Sequence, residues 1–280
     1  MHRQRTAQRV VLRGLRLRLH TLLADCILRL NSCAGQVVLD RVGRTPGGVL
    51  GCGLTVSQCA DVRLHNCEFS GSTNGPLAVD SSHLTATEST FDALPFSFGN
   101  SFSASAVDLT DCSAQCSIFA AGFTLQNTAV RLRGNTGFQS YDQSVFDGPG
   151  IITFAPTVSF LSGTAPPFTS TVTPQPLPLP AVTAVAGAPG GTASATMVGD
   201  AQAFGWLFAG LAGPLTPIAG SGAAMLLPGN TFLLAAGPMS TPLAASYAVP
   251  SLPAALGLVV SWQGVSLDAA NGLLMSNAAT

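Results

Sequence analysis

Slid against itself, this chain of 280 residues repeats. Leu54-Thr-Val56-Ser-Gln-Cys59-Ala-Asp-Val62-Arg-Leu64-His-Asn-Cys67-Glu-Phe69 aligns with Leu77-Ala-Val79-Asp-Ser-Ser82-His-Leu84-Thr-Ala86-Thr-Glu-Ser89-Thr-Phe91, with one residue deleted at a turn. Upstream, Leu28-Arg-Leu30-Asn-Ser-Cys33 matches Leu54 to Cys59 at a spacing of 26, and Val37-Val-Leu39 matches Val62-Arg-Leu64 at 25. Val107-Asp-Leu109-Thr-Asp-Cys112 and Val130-Arg-Leu132 echo the pattern downstream. Short alternating strands recurring every 22 to 30 residues or so, with no helical segment between them, describe one coil of a solenoid that stacks only on its neighbours.

Composition agrees with strands. All twelve basic residues are arginines, and charged residues make up only 9% of the chain, so a sustained helix lacks the long charged side chains its wet face needs. Ser, Thr, Val, Gly and Pro dominate instead. The expected inward ladders are Val56 over Val79, Leu64 over Ala86, Phe69 over Phe91, and Cys59 between Cys33 and Ser82. Val56, Val79 and Leu109 are expected to share one ladder. Stacked strands lie about 4.8 Å apart, which puts Cys26 with Cys52 and Cys33 with Cys59 within disulfide reach if their side chains converge. Unbonded cysteine ladders are the equal alternative.

Over residues 9–160 the motif L-x-V-x-x-C-x-x-V-x-L-x-N-C-x-F resembles the right-handed parallel β-helix proteins of the pectate-lyase-like superfamily. The resemblance implies a right-handed parallel β-helix, here over residues 1–164. Polysaccharide lyases and hydrolases of that class place acids and bases on the outer face. Their clustered calcium-binding aspartates, Gly-His-Gly and Arg-x-Lys are absent from this sequence.

Seven cysteines all precede residue 117, and none forms a CxxC pair or a zinc-spaced set, so no metal and no cofactor is expected. Disulfides would fit an oxidising compartment. Residues 1–44 carry nine arginines against Asp25 and Asp40. Such a stretch suits nucleic acid or an anionic surface, but Leu15, Leu17 and Leu19 alternating with Arg16 and Arg18 read better as a strand with one apolar and one charged face, and no nucleic-acid partner is expected. No signal peptide is visible, because the apolar run from Leu22 is broken by Asp25 and Arg29. The chain opens in the middle of a repeat, and the expectation is an export signal and further coils upstream of Met1.

Residues 165–182 are proline-rich and read as an extended linker. In the apolar β-rich remainder, residues 183–280, only Asp200 and Asp268 carry charge. The uncharged interval Ala201 to Leu267 is long enough for a membrane span, but prolines at 214, 217, 228, 238, 242, 250 and 253 argue against one. Thr231-Phe-Leu-Leu, Leu256 to Gln263 and Gly272 to Asn277 read as strands of a small β-sandwich. This tail resembles the carboxy-terminal domains of large secreted proteins of planctomycete-type bacteria, which implies export.

The repeat register stacks Asp40, His65 and Thr87 in one outward line and Arg41, Asn66 and Glu88 in the next. An Asp beside a His suits general-base chemistry, so Asp40, His65 and Glu88 are the candidate catalytic residues; the competing reading makes this line a polar turn of the coil. His83 near Asp61 is a second pair. Phe96, Phe98, Phe102, Tyr141 and Phe146 are aromatics that could stack on sugars, with Phe96, Phe98 and Tyr141 as the candidate ligand residues. The sequence therefore points to an all-β, secreted or cell-surface structural or binding protein, with carbohydrate or cell-surface components as its expected partners. The alternative is a polysaccharide lyase or glycoside hydrolase.

Overall fold

The computed structural model describes residues 9–17, 26–44, 51–71, 75–93, 99–116, 120–211, 216–217, 224–225, 231–251 and 260–279. Every regular element among them is a β-strand. They form two units, Met1–Pro176 and Leu177–Thr280.

The first unit is a parallel β-solenoid of three sheets. The first sheet has eight strands, Arg9–Arg13, Gln36–Asp40, Asp61–His65, His83–Thr87, Ala106–Thr110, Thr128–Arg133, Gly150–Phe154 and Val172–Pro176. The second runs in seven strands from Arg16–Leu17 to Ser159–Leu161, and the third in six from Cys26–Asn31 to Phe146–Asp147. The chain visits the three in turn.

Single left-handed residues make two of the corners. Ser32, Gln58, Ser81, Ala104 and Asn127 turn the chain from the third sheet to the first, and Arg41, Asn66, Glu88 and Asp111 from the first to the second, all with φ between 46° and 54°. A side chain in this region carries a steric cost that glycine avoids. Stacking of like corners offsets it, because each such N–H bonds a carbonyl of the next coil, as Asn66 does to Thr87 at 3.0 Å and Ser81 to Ser103 at 2.9 Å.

The next residue at each corner explains four of the cysteines. After Arg41 it is Val42; otherwise it is Cys33, Cys59, Ser82, Ser105 or Thr128 at one corner, and Cys67, Ser89 or Cys112 at the other. Its sulfur or oxygen donates back to the carbonyl two residues earlier, as Ser82 Oγ does to Asp80 O at 2.7 Å and Cys112 Sγ to Thr110 O at 3.3 Å. A hydroxyl there also accepts the N–H of the preceding coil's corner residue, Cys59 to Ser82 at 2.9 Å and Cys67 to Ser89 at 3.1 Å. Cysteine, serine and threonine are interchangeable here because each gives a second donor to a carbonyl that already accepts the preceding coil's corner N–H.

Inside, the register stacks Val37, Val62, Leu84, Val107, Val130 and Ile152 in one ladder, and Leu39, Leu64, Ala86, Leu109, Leu132 and Phe154 beside it. Val56 lies on Val79 and Phe69 on Phe91, as the repeat predicts. Leu109 departs from expectation: it belongs to the first sheet, while the Val56–Val79 ladder continues through Phe102 and Leu125 in the third. Phenylalanines fill the later coils, Phe123 packing against Phe102, Phe138 and Phe146 with ring centroids 5.1 to 5.4 Å apart. Residues 165–182 hold the last strand of the first sheet, Val172–Pro176, and the beginning of Ala181–Val185 in the second unit.

The second unit is antiparallel. Ala181–Val185, Thr192–Val198 and Leu243–Ala248 form one sheet, and Thr231–Pro238, Phe204–Leu211, Val260–Asp268 and Gly272–Ala279 another. Val182, Met197, Leu207, Met239 and Trp262 share their core. Buried Asn277 ties one sheet to the other by accepting the N–H of Val182 at 2.8 Å and donating to its carbonyl at 2.7 Å. No helix among the described residues is long and apolar enough to cross a membrane.

Candidate functional site

Because the first sheet has one fixed register, alternate residues of its strands form outward columns. One runs Arg9, Gln36, Asp61, His83; the next Val38, Arg63, Thr85, Asp108, Arg131; a third Arg13, Asp40, His65, Thr87, Thr110, Arg133. The expected line of Asp40, His65 and Thr87 is thus present, but it does not make a dyad. Asp40 is held by Arg13 at 2.6 Å and Arg41 at 3.4 Å, and His65 turns its Nδ1 to Thr87 Oγ1 at 3.2 Å. Glu88 is exposed at a left-handed corner.

The second pair is better placed. Asp61 and His83 are register neighbours on adjacent strands, and Asp108 lies one coil further on in the neighbouring column. Asp61 accepts from Gln36 Nε2 at 2.7 Å and from Arg63 at 3.2 Å; Asp108 accepts from Arg133 Nε and Nη2, both at 2.9 Å. Although these residues sit on the outward face, Arg133 is only 1% exposed and Asp61, Arg63 and Asp108 are buried. Burial pushes the His83 imidazole below its usual range, against the opposing pull of Asp61 and Asp108, and its Nδ1 is buried with no hydrogen-bond partner. Sequence reasoning missed the pairing of Arg133 with Asp108, which are 25 residues apart, because it aligned coils by apolar residues.

The outward face of the second sheet is different in kind. Glu68 and Thr90 stack, Thr90 Oγ1 meets Ser113 Oγ at 3.1 Å, and Gln115 lies beside Gln139. Asp92 accepts the Gln115 N–H at 2.9 Å; burial and then the nearby Glu68 charge raise its carboxyl above the ordinary range, partly offset by that bond. Tyr141 follows this face, 40% exposed, its hydroxyl accepting from Gln115 Nε2 at 2.5 Å. Gly163 fixes the backbone beneath it, since a Cβ there would lie 1.8 Å from the Tyr141 carbonyl oxygen. Of the other expected aromatics, Phe102 and Phe146 are core, and Phe96 and Phe98 lie outside the described residues.

Cys33 and Cys59 are free thiols stacked at one corner. Cys26 pairs with Cys52 along the backbone, but its side chain lies outside the described part. Burial pushes Cys67 up to about 11, and Cys112 and Cys116 to about 12, which suppresses the reactive thiolate. Among the described residues no group of three or more His, Cys, Asp or Glu is placed to hold a metal ion. Comparison with protein-family models and with curated proteins finds no match.

Proposed function

We propose that this chain is a structural and binding module of a secreted or cell-surface protein, that its solenoid belongs with the pectate-lyase-like β-helices, and that it recognises carbohydrate on the second sheet around Tyr141. One observation carries the reading. Tyr141, 40% exposed, accepts a hydrogen bond from the Gln115 amide, and Gln115 stacks in register with Gln139 and bonds Asp92 through its N–H, on a face built by coil stacking. Uncharged amides and hydroxyls match sugar hydroxyls, and an aromatic ring offers a flat apolar surface to a sugar face. The apolar tail unit serves attachment or assembly in this account, and its likeness to planctomycete-type tail domains supports export.

The alternative, a polysaccharide lyase or hydrolase, draws on Asp61, His83 and Asp108 sharing one face. Glycosidic hydrolysis typically employs two carboxyl groups with room between them for substrate. Here both carboxylates are buried in arginine pairs. A glycan array with the full chain and its Tyr141→Ala variant, run beside a reducing-end release assay on acidic polysaccharides, tests both readings. Saturable binding lost in Tyr141→Ala without product release supports the binding module. Product release abolished by His83→Ala overturns it.

A further inference from the structure

Among the described left-handed corners, one place alone sets a thiol over a thiol. Cys59 follows Cys33 in its stack, and the positions beyond hold Ser82, Ser105 and Thr128; at the other corner Cys67 lies between Val42 and Ser89, and Cys112 follows Ser89. Two backbone hydrogen bonds bracket the pair, from Ser32 N–H to Ser57 O at 2.9 Å and from Ala60 N–H to Cys33 O at 3.0 Å. Adjacent coils at about 4.8 Å bring the two Cα atoms into the range that a disulfide spans. The side chains converge as well, because the Cys59 thiol makes a hydrogen bond with the Cys33 thiol and accepts another from the Cys33 backbone.

The two sulfurs differ in access. Cys33 is half-buried, whereas Cys59 is only 1% exposed. Burial raises the Cys59 thiol above its ordinary range, opposed by the bond from the Cys33 backbone and reinforced by the bond with the Cys33 thiol. An oxidant arriving from solvent therefore meets Cys33 first.

We infer that Cys33 and Cys59 form a reversible redox latch, which closes to a disulfide between two successive coils in the presence of a small disulfide such as oxidised glutathione. The Cys33 thiolate attacks one sulfur of the oxidant, giving a mixed disulfide and one released thiolate. The Cys59 thiolate then attacks the Cys33 sulfur, forming the protein disulfide and releasing the second. Two protein thiols are oxidised, one small disulfide is reduced to two thiols, and the protons lost by the cysteines pass to those thiols. Closure gives up little in the fold. The thiols release their bonds to Asn31 O, at 3.7 Å, and Ser57 O, at 3.3 Å, while Ser57 O keeps the Ser32 N–H. The latch does not depend on what the second sheet binds.

The test incubates the full chain in glutathione buffers of graded ratio, blocks remaining thiols with iodoacetamide and maps the peptides by mass spectrometry without reduction. A peptide joining Cys33 to Cys59 should appear as the buffer becomes oxidising and vanish with dithiothreitol. The bond closes a loop of 26 residues, so the oxidised solenoid should melt higher than the reduced one by on the order of 5–10 °C. Cys59→Ser should fold, because Ser82 fills the equivalent position, and should lose that difference; Cys33→Ser supplies the same control should Cys59→Ser fail to fold. Absence of a Cys33–Cys59 link at every ratio, a link from either residue to a different cysteine, or a redox shift of full size in both serine variants overturns the proposal.

Discussion

The solenoid and the carboxy-terminal unit bury polar groups by different means. In the solenoid the buried groups are often charged, and each is answered from a neighbouring coil or strand position: Arg133 clasps Asp108 and Arg63 meets Asp61. The carboxy-terminal unit works mainly with neutral groups, and its buried Asp268 accepts from neutral donors, Ala270 N–H and Asn271 Nδ2. Asn277 bonds both main-chain groups of Val182, and Ser276 Oγ accepts the Gly264 N–H at 2.7 Å. A solenoid repeats its environment coil after coil, so one register can place a positive group opposite a negative one. An antiparallel sandwich offers no such repeat, and an amide that satisfies donor and acceptor together solves the problem once.

The sharpest test of that contrast is Asp108→Ala, which strips the bidentate carboxylate from a buried guanidinium and should cost about 3–5 kcal/mol in chemical denaturation. A loss below 1 kcal/mol or so would mean that the charged face adds little to the solenoid. Asn277→Ala should follow at about 2–4 kcal/mol, since it orphans an N–H and a carbonyl at about 1–3 kcal/mol each; calorimetry should show the loss in the transition of the second unit alone. Smaller again is Ser89→Ala, about 1–2 kcal/mol for the unpaired Cys67 N–H, with Ser89→Cys milder because a thiol already serves at equivalent corners. Least is Ala104→Gly, expected to raise stability by up to about 1 kcal/mol, because relief of the left-handed strain exceeds the entropy that glycine gains on unfolding. A lower melting midpoint for this variant would show the corner to be unstrained.

Much of the solenoid was legible because apolar alternation survives translation by a coil: Val62, Leu84 and Phe69 needed only spacing to find their partners. The assignment of Leu109 failed for a physical reason. Both left-handed corners place a thiol or hydroxyl residue three positions beyond an apolar one, so Val56-Ser-Gln-Cys59 and Leu109-Thr-Asp-Cys112 look alike in sequence although they leave different sheets. Cys33 and Cys59, expected either as a disulfide or as an unbonded ladder, are free thiols bonded to the carbonyls of Asn31 and Ser57, a role that spacing alone does not reveal. Asp40, His65 and Thr87 were placed in the correct line, but Arg13 was not legible as the partner of Asp40, because it wins that carboxylate by side-chain reach. Tyr141 was singled out as an aromatic, and only the coil register brought Gln115 to it.

Equivalent corner residues stand 22 to 26 residues apart, as Cys67 to Ser89 and Cys33 to Cys59 do. A piece of chain cut between two such corners begins and ends at the same point of the coil, so its loss or duplication leaves every interior side chain interior. A change of a single residue within a strand would instead turn the whole strand's apolar set toward water. The gene for such a protein can therefore vary in length by whole coils at little energetic cost, and the left-handed corners are the joints at which evolution is free to cut and splice it.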